Sequence, residues 1–119
     1  MRDETFWDAQ ACLEHFHITS FQGDGIFSVL IDELSMIDKT LTDAYLTQRH
    51  ESLLAAVRTL ENTALNMYAK PLYRSAQSFK AACQSEDWFD ISAAFIGLTS
   101  VLKETQNAIG EFSEAAQSA

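Results

Sequence analysis

The sequence is poor in the residues that break helices. It has one proline and four glycines in 119 residues, and no low-complexity run, which argues against linkers and disorder. Two cysteines, Cys12 and Cys83, are too few for a disulfide framework and read as reduced thiols. Basic residues are scarce as well: eight against seventeen acidic ones, for a net charge of −9. Such a domain is repelled by phosphate backbones and anionic lipid, so neither nucleic acid nor a membrane is an expected partner. The longest apolar stretch, Ile91 to Leu102, is interrupted by Ser92, Thr99 and Ser100 and is too short to span a bilayer. The start, Met1-Arg2-Asp3-Glu4, lacks the basic-then-apolar pattern of a secretory leader, and the expected location is cytoplasmic.

What is present is apolar residues at helical spacing almost throughout. Phe6, Ala9, Leu13 and Phe16 form a first stripe, and Phe27, Leu30, Leu34, Ile37, Leu41 and Tyr45 a second. Leu53, Val57, Leu60, Ala64 and Met67 follow, then Leu72, Ala76, Phe79 and Cys83. Ile91, Phe95, Leu98, Leu102, Ile109 and Phe112 make the last. The breaks are short: Gly23-Asp24-Gly25, with Asp24 a candidate cap; Thr47 to His50; Ala69-Lys70-Pro71, with Pro71 suited to a first helical turn; and Gln84 to Asp87, whose acids favour a helix N-terminus. Long amphipathic helices joined by short connections pack as antiparallel neighbours. The spacing therefore predicts an all-α fold: an up-down antiparallel four-helix bundle with a short additional N-terminal helix. It forms one domain over residues 1–119, with its core over about 6–112.

The usual carriers of catalysis are missing. Gly23 and Gly25 lack the spacing and the lysine of a phosphate-binding loop. Cys12, His15 and His17 do not make a zinc site, because no second cluster completes four ligands. Asp32-Glu33 and Glu86-Asp87 are adjacent pairs that point in different directions from a helix and read as solvated charge. The Glu-x-x-His pairs of di-iron bundles are absent, and Cys83, on an apolar stripe, reads as inert core. No metal, no cofactor and no enzymatic activity are expected.

The third helix reads Val57-Arg58-Thr59-Leu60-Glu61-Asn62-Thr63-Ala64-Leu65-Asn66-Met67-Tyr68-Ala69, with Leu72 three residues on. This resembles the central helix of histidine phosphotransfer (HPt) domains, roughly A-H-T-L-K-G-S-A-x-N-L-G-A-x-x-L. Thr59, Leu60, Ala64, Asn66, Ala69 and Leu72 match in register, and Val57, Thr63 and Met67 are similar in kind. Leu53 stands where the family has an apolar residue, and Ser85-Glu86-Asp87-Trp88 resembles the acidic turn before its last helix. The departures fall on the chemistry. Arg58 replaces the phosphorylated histidine, Glu61 the usual lysine, Asn62 the glycine beside the imidazole and Tyr68 a second glycine. Phosphoryl relay needs an imidazole nucleophile, and a permanently protonated guanidinium is not one. The resemblance thus implies a domain that keeps the fold and a docking role but does not transfer phosphate.

The partner implied is a response-regulator receiver domain or a sensor histidine kinase. It would be met on a face containing Arg58, Glu61, Asn62 and Leu65, with Asp38 and Thr42 of the second helix. Three other readings of the same residues stand beside this one. Arg58 and Glu61 are spaced as an i, i+3 surface ion pair on an ordinary bundle helix. His50, eight residues before Arg58, is the best alternative phospho-acceptor. Trp7, Phe21 and Tyr73, if exposed, would mark a helical adaptor or oligomerising bundle outside phosphorelays.

Overall fold

The computed structural model describes residues 6–15 and 24–118. Among the described residues five helices follow one another: α1 (Ala9–His15), α2 (Asp24–Leu46), α3 (His50–Asn66), α4 (Lys70–Gln84) and α5 (Trp88–Ser118). No strand occurs among the described residues. Helices α2 to α5 form the antiparallel bundle: α3 packs against α2 and α4, and α5 closes the ring against α4 and α2. The expected all-α bundle with an extra N-terminal helix is what forms.

The core follows the bundle stripes read from the sequence, with Ala44, Ala56, Ala69 and Thr105 buried beside them. Every residue of the third and fourth stripes is buried, as are Phe27, Leu30, Leu34, Ile37 and Leu41 on α2 and Ile91, Leu98, Leu102, Ile109 and Phe112 on α5. Tyr45 and Phe95 are half-buried and stack face to face, ring centroids 4.0 Å apart, while the Tyr45 hydroxyl donates to Ser92 Oγ at 2.7 Å. Pro71 lies in the first turn of α4, where its missing N–H costs nothing. Asp87 Oδ1 accepts from Phe89 N at 2.9 Å and caps α5.

The first stripe is shifted from expectation. Trp7, Ala9 and Cys12 are buried, while Phe6 and Leu13 are only half-buried. The tryptophan decides the register, because it is the largest apolar group and has a polar handle to place. Its Nε1 donates to Met67 O at 2.9 Å, and its ring meets Phe27 and Phe112 edge-on at 6.1 and 5.5 Å. Asp8 N donates to Tyr68 O at 3.0 Å. Helix α1 is thereby held over the bundle end where α2 and α4 start and α3 and α5 finish. Phe16, His17, Phe21 and Gly23 lie outside the described residues.

The three turns between bundle helices share one design. Each is three residues long, and the middle residue has positive φ: Gln48 (53°), Tyr68 (63°) and Glu86 (61°). In the first two, the following N–H reaches back to an α-helical carbonyl, Arg49 N to Ala44 O and Ala69 N to Ala64 O, both at 2.9 Å. This is the usual termination of a helix by a left-handed residue, a place that favours glycine. Here glycine is absent from all three turns, while Gly97 and Gly110 sit inside α5.

Candidate functional site: the outer face of the third helix

A helix flanked by two neighbours buries roughly half its surface and turns the remainder to solvent. On α3 the buried stripe is Leu53, Ala56, Val57, Leu60 and Ala64. Arg58, Asn62 and Leu65 are exposed on the opposite side, and Leu65 keeps 55% of its surface accessible. Among the described residues the Arg58 guanidinium has no hydrogen-bond or salt-bridge partner. Three of the sequence candidates, Arg58, Asn62 and Leu65, thus share one outward face.

Glu61 behaves differently. It points along the α3–α4 seam, where Lys80 Nζ donates to Oε1 at 3.0 Å and stands 2.8 Å from Oε2. Both side chains are largely covered, 16% exposed for Glu61 and 29% for Lys80. The Arg58–Glu61 surface pair suggested by the i, i+3 spacing does not form, because a cation from the next helix takes the carboxylate first. Lys80 was not visible as a site residue in the sequence, since pairing it with Glu61 requires the rotation of both helices.

Asp38 and Thr42 require a correction. Helix α2 has two flanks, and both residues belong to the one facing α5. Asp38 lines a groove of about 490 Å³ with Ile96, Thr99, Ser100, Leu102, Lys103 and Gln106. Thr42 Oγ1 lies 3.5 Å from Asp38 Oδ1 on the same strip, and Ser35 Oγ on that flank accepts from Gln106 Nε2 at 3.2 Å. The flank of α2 that borders α3 includes Leu30, Glu33, Met36, Ile37 and Thr40. Thr63 Oγ1 donates to Glu33 Oε1 at 3.1 Å. Met36, Ile37 and Thr40 enclose, with Ala56 and Thr59, a mostly apolar groove of about 210 Å³. Met36 is 70% exposed at its rim. The helical period marks Ile37 as core, but not which neighbour each flank of α2 would meet.

The other candidates are placed as follows. His50 is the first residue of α3 and half-buried. Eight residues separate it from Arg58, about 12 Å along the axis with a rotation of about 80°. Trp7 is buried and marks no open interface, while Tyr73 is half-buried, its hydroxyl accepting from Gln77 Nε2 at 3.0 Å. Phe21 lies outside the described residues. Cys12 and Cys83 are free and fully buried. Burial pushes the Cys83 thiol up to about 11, and burial raises Cys12 as well against an opposing hydrogen bond with Trp7. Neither is a thiolate nucleophile at neutral pH. Among the described residues no cluster of three metal-ligating side chains occurs, and no helix is long and apolar enough to cross a membrane.

One solved structure matches along nearly the whole chain. It is the HPt domain of an Hpt sensor hybrid histidine kinase from Shewanella, determined at 1.80 Å. The superposition has a TM-score of 0.76 and covers 95% of this chain and 97% of that one, at 15% sequence identity. The fold is that of a histidine phosphotransfer domain. No family model and no curated relative matches the sequence. The HPt fold gives the resemblance on the third helix its spatial meaning. Position 58 stands on the open face of an HPt-like bundle, and the chain has no histidine on α3 beyond His50 at its first position. The HPt fold also accounts for Tyr68: where the family pattern has its second glycine, the backbone of this chain has a φ of 63°.

Proposed function

We propose that this chain is a non-catalytic HPt-like signalling protein that binds a response-regulator receiver domain or a sensor histidine kinase and modulates a phosphorelay in the cytoplasm. The observation that carries the reading is Arg58, an exposed cation without a partner, at the position where the resemblance places the phosphorylated histidine. A receiver's phosphorylation pocket is a cluster of carboxylates. A guanidinium forms two parallel, charge-assisted hydrogen bonds with a carboxylate and cannot accept a phosphoryl group. The apolar groove at Met36, lined on α3 by Ala56 and Thr59, supplies area for the same contact. A partner so bound is occupied, not phosphorylated, and the protein acts as a competitor or adaptor.

The position of His50 argues against it as a substitute acceptor. Displacement of a reacting group by even an ångström slows transfer markedly, and His50 lies more than two turns from Arg58 on another side of the helix. The test is direct. The receiver and kinase domains of the host are purified and measured against this protein by calorimetry, and each phosphorylated receiver is incubated with it under radiolabel. Micromolar binding to at least one domain, with no label on this chain, is the expected result. Absence of binding to all of them overturns the reading, and label that disappears in His50→Ala replaces it with an active phosphotransferase.

A further inference from the structure

The charges of this protein are strongly segregated. Residues 49–84, which are α3, α4 and the turn residues beside them, carry five basic and two acidic side chains. The remaining 83 residues carry three basic and fifteen acidic ones. One hairpin therefore bears a charge of +3 and the rest of the molecule −12, with histidines neutral. The positive side chains are also available. Arg58, Lys70 and Arg74 are exposed, and none has an acidic partner among the described residues. Lys80 is neutralised by Glu61 in the seam below them.

The same hairpin presents an apolar foothold. Leu65, 55% exposed, borders a wholly apolar dimple of about 140 Å³ enclosed with Ala64, Tyr68, Ala69, Lys70 and Tyr73. Leu65 follows Arg58 by seven residues, two turns along the same side of α3. Lys70 and Arg74 are one turn apart on α4. An apolar dimple with the unpaired Lys70 in its wall, and with Arg58 and Arg74 farther along the same two helices, fits an acidic protein surface that carries an apolar side chain. Interfaces of this kind bury the apolar contact and leave the charges at the rim to steer the encounter.

We propose that the docking face extends from Arg58 across α4 to Lys70 and Arg74, and that it takes an acidic surface of a partner protein. The inference rests on the docking reading of Arg58 and adds to it the partner's charge and the second helix it touches. A continuous polyanion is a poorer fit, because it must also approach the strongly negative remainder of the molecule. A partner carrying its acid in one patch meets the hairpin alone. The segregated charge further makes the chain a dipole that turns its positive side toward such a patch before contact.

The test compares charge reversals on two sides of the molecule. Lys70→Glu and Arg74→Glu alter the proposed face, while Lys39→Glu on α2 and Lys103→Glu on α5 make the same change in net charge elsewhere. Association rates are measured with a receiver domain that binds the wild type, over a range of salt. The reversals on α4 are expected to slow association about tenfold at low salt and the others about twofold or less. Equal slowing by all four overturns the inference and leaves the receiver-binding reading intact. If no receiver binds, that reading falls, and amide chemical shifts with a synthetic helical peptide of Glu and Leu decide the inference. Shifts gathered on α3 and α4 support it, and their absence overturns it. A single-stranded oligonucleotide or phosphatidylserine vesicle bound at the same face as tightly as the peptide also overturns it.

Discussion

Lys80 of α4 donates to Glu61 Oε1 on α3 at 3.0 Å and stands 2.8 Å from Oε2, across the seam between the two helices. The pair is more covered than open, so its partners depend on each other. Exposed ion pairs contribute ~0–1 kcal/mol, and removing one partner of a buried pair costs several times more. Lys80→Met is expected to destabilise the fold by about 1–2 kcal/mol in urea denaturation. It leaves a carboxylate in the seam with no cation beside it. Adding Glu61→Gln recovers part of the loss, because the uncompensated charge is gone. The double mutant also separates the pair's structural role from docking, since Arg58 and Leu65 keep their places.

The use of glycine predicts two stabilising changes in opposite directions. Gly97 lies exposed inside α5, and an added Cβ there meets nothing within 4 Å. Gly97→Ala should raise stability by roughly 0.5–1 kcal/mol through helix propensity alone. Gln48 is exposed in a turn with φ of 53°, where a side chain strains the backbone. Gln48→Gly should gain about 0.5–1 kcal/mol by relieving it. Thermal unfolding of each variant and of the pair checks both, and the effects should add because the sites share no partner.

How much of this was legible in the sequence follows from the range of each interaction. The four bundle stripes and the three turns depend on residues close in the chain, and the periodicity with Pro71 and the acids before Trp88 placed them. The flank on which Asp38 and Thr42 lie depends on the rotation of α2 against two neighbours at once. A pattern that marks only inside and outside does not contain it. The Glu61–Lys80 pair is of the same kind, its partners nineteen positions apart in the chain. In α1 the simple period failed because Trp7 follows its hydrogen bond to Met67 O. The left-handed turns at Gln48, Tyr68 and Glu86 gave no signal, since none uses the glycine that would have announced them.

Cys83 should make stability fall in alkali. Burial raises its thiol from the ordinary 9.0 to about 11, so the folded chain holds this proton more tightly than the unfolded one. The stabilisation from that difference is complete below pH 9 and is lost as the pH rises through 9 to 11. The loss by the upper end of the window is on the order of 2 kcal/mol. Cys83→Ala should give a flatter stability curve over this window, although its stability at pH 7 is lower because a buried sulfur is missing. Every other titrating group is common to the two proteins, so the comparison isolates Cys83. Denaturation midpoints for the two chains at pH 7 to 11 measure the difference.

Arg58 separates recognition by shape from recognition by charge. Its side chain is exposed and without a partner among the described residues, so replacing it should leave the unfolding midpoint nearly unchanged. Any loss of binding then belongs to the interface. Hydrogen bonds to charged groups contribute ~1.5–3 kcal/mol, or about 10- to 100-fold in affinity. Arg58→Glu, which sets two like charges against each other, should weaken receiver binding at least about 100-fold. Arg58→Lys keeps the charge and loses the planar fork, and an intermediate loss of about tenfold is expected if a carboxylate takes both guanidinium arms. A lysine variant that binds as well as wild type would show that the pocket reads only positive charge at this point. The bidentate contact would then be discarded, while the salt dependence on Lys70 and Arg74 would gain weight as the main source of specificity.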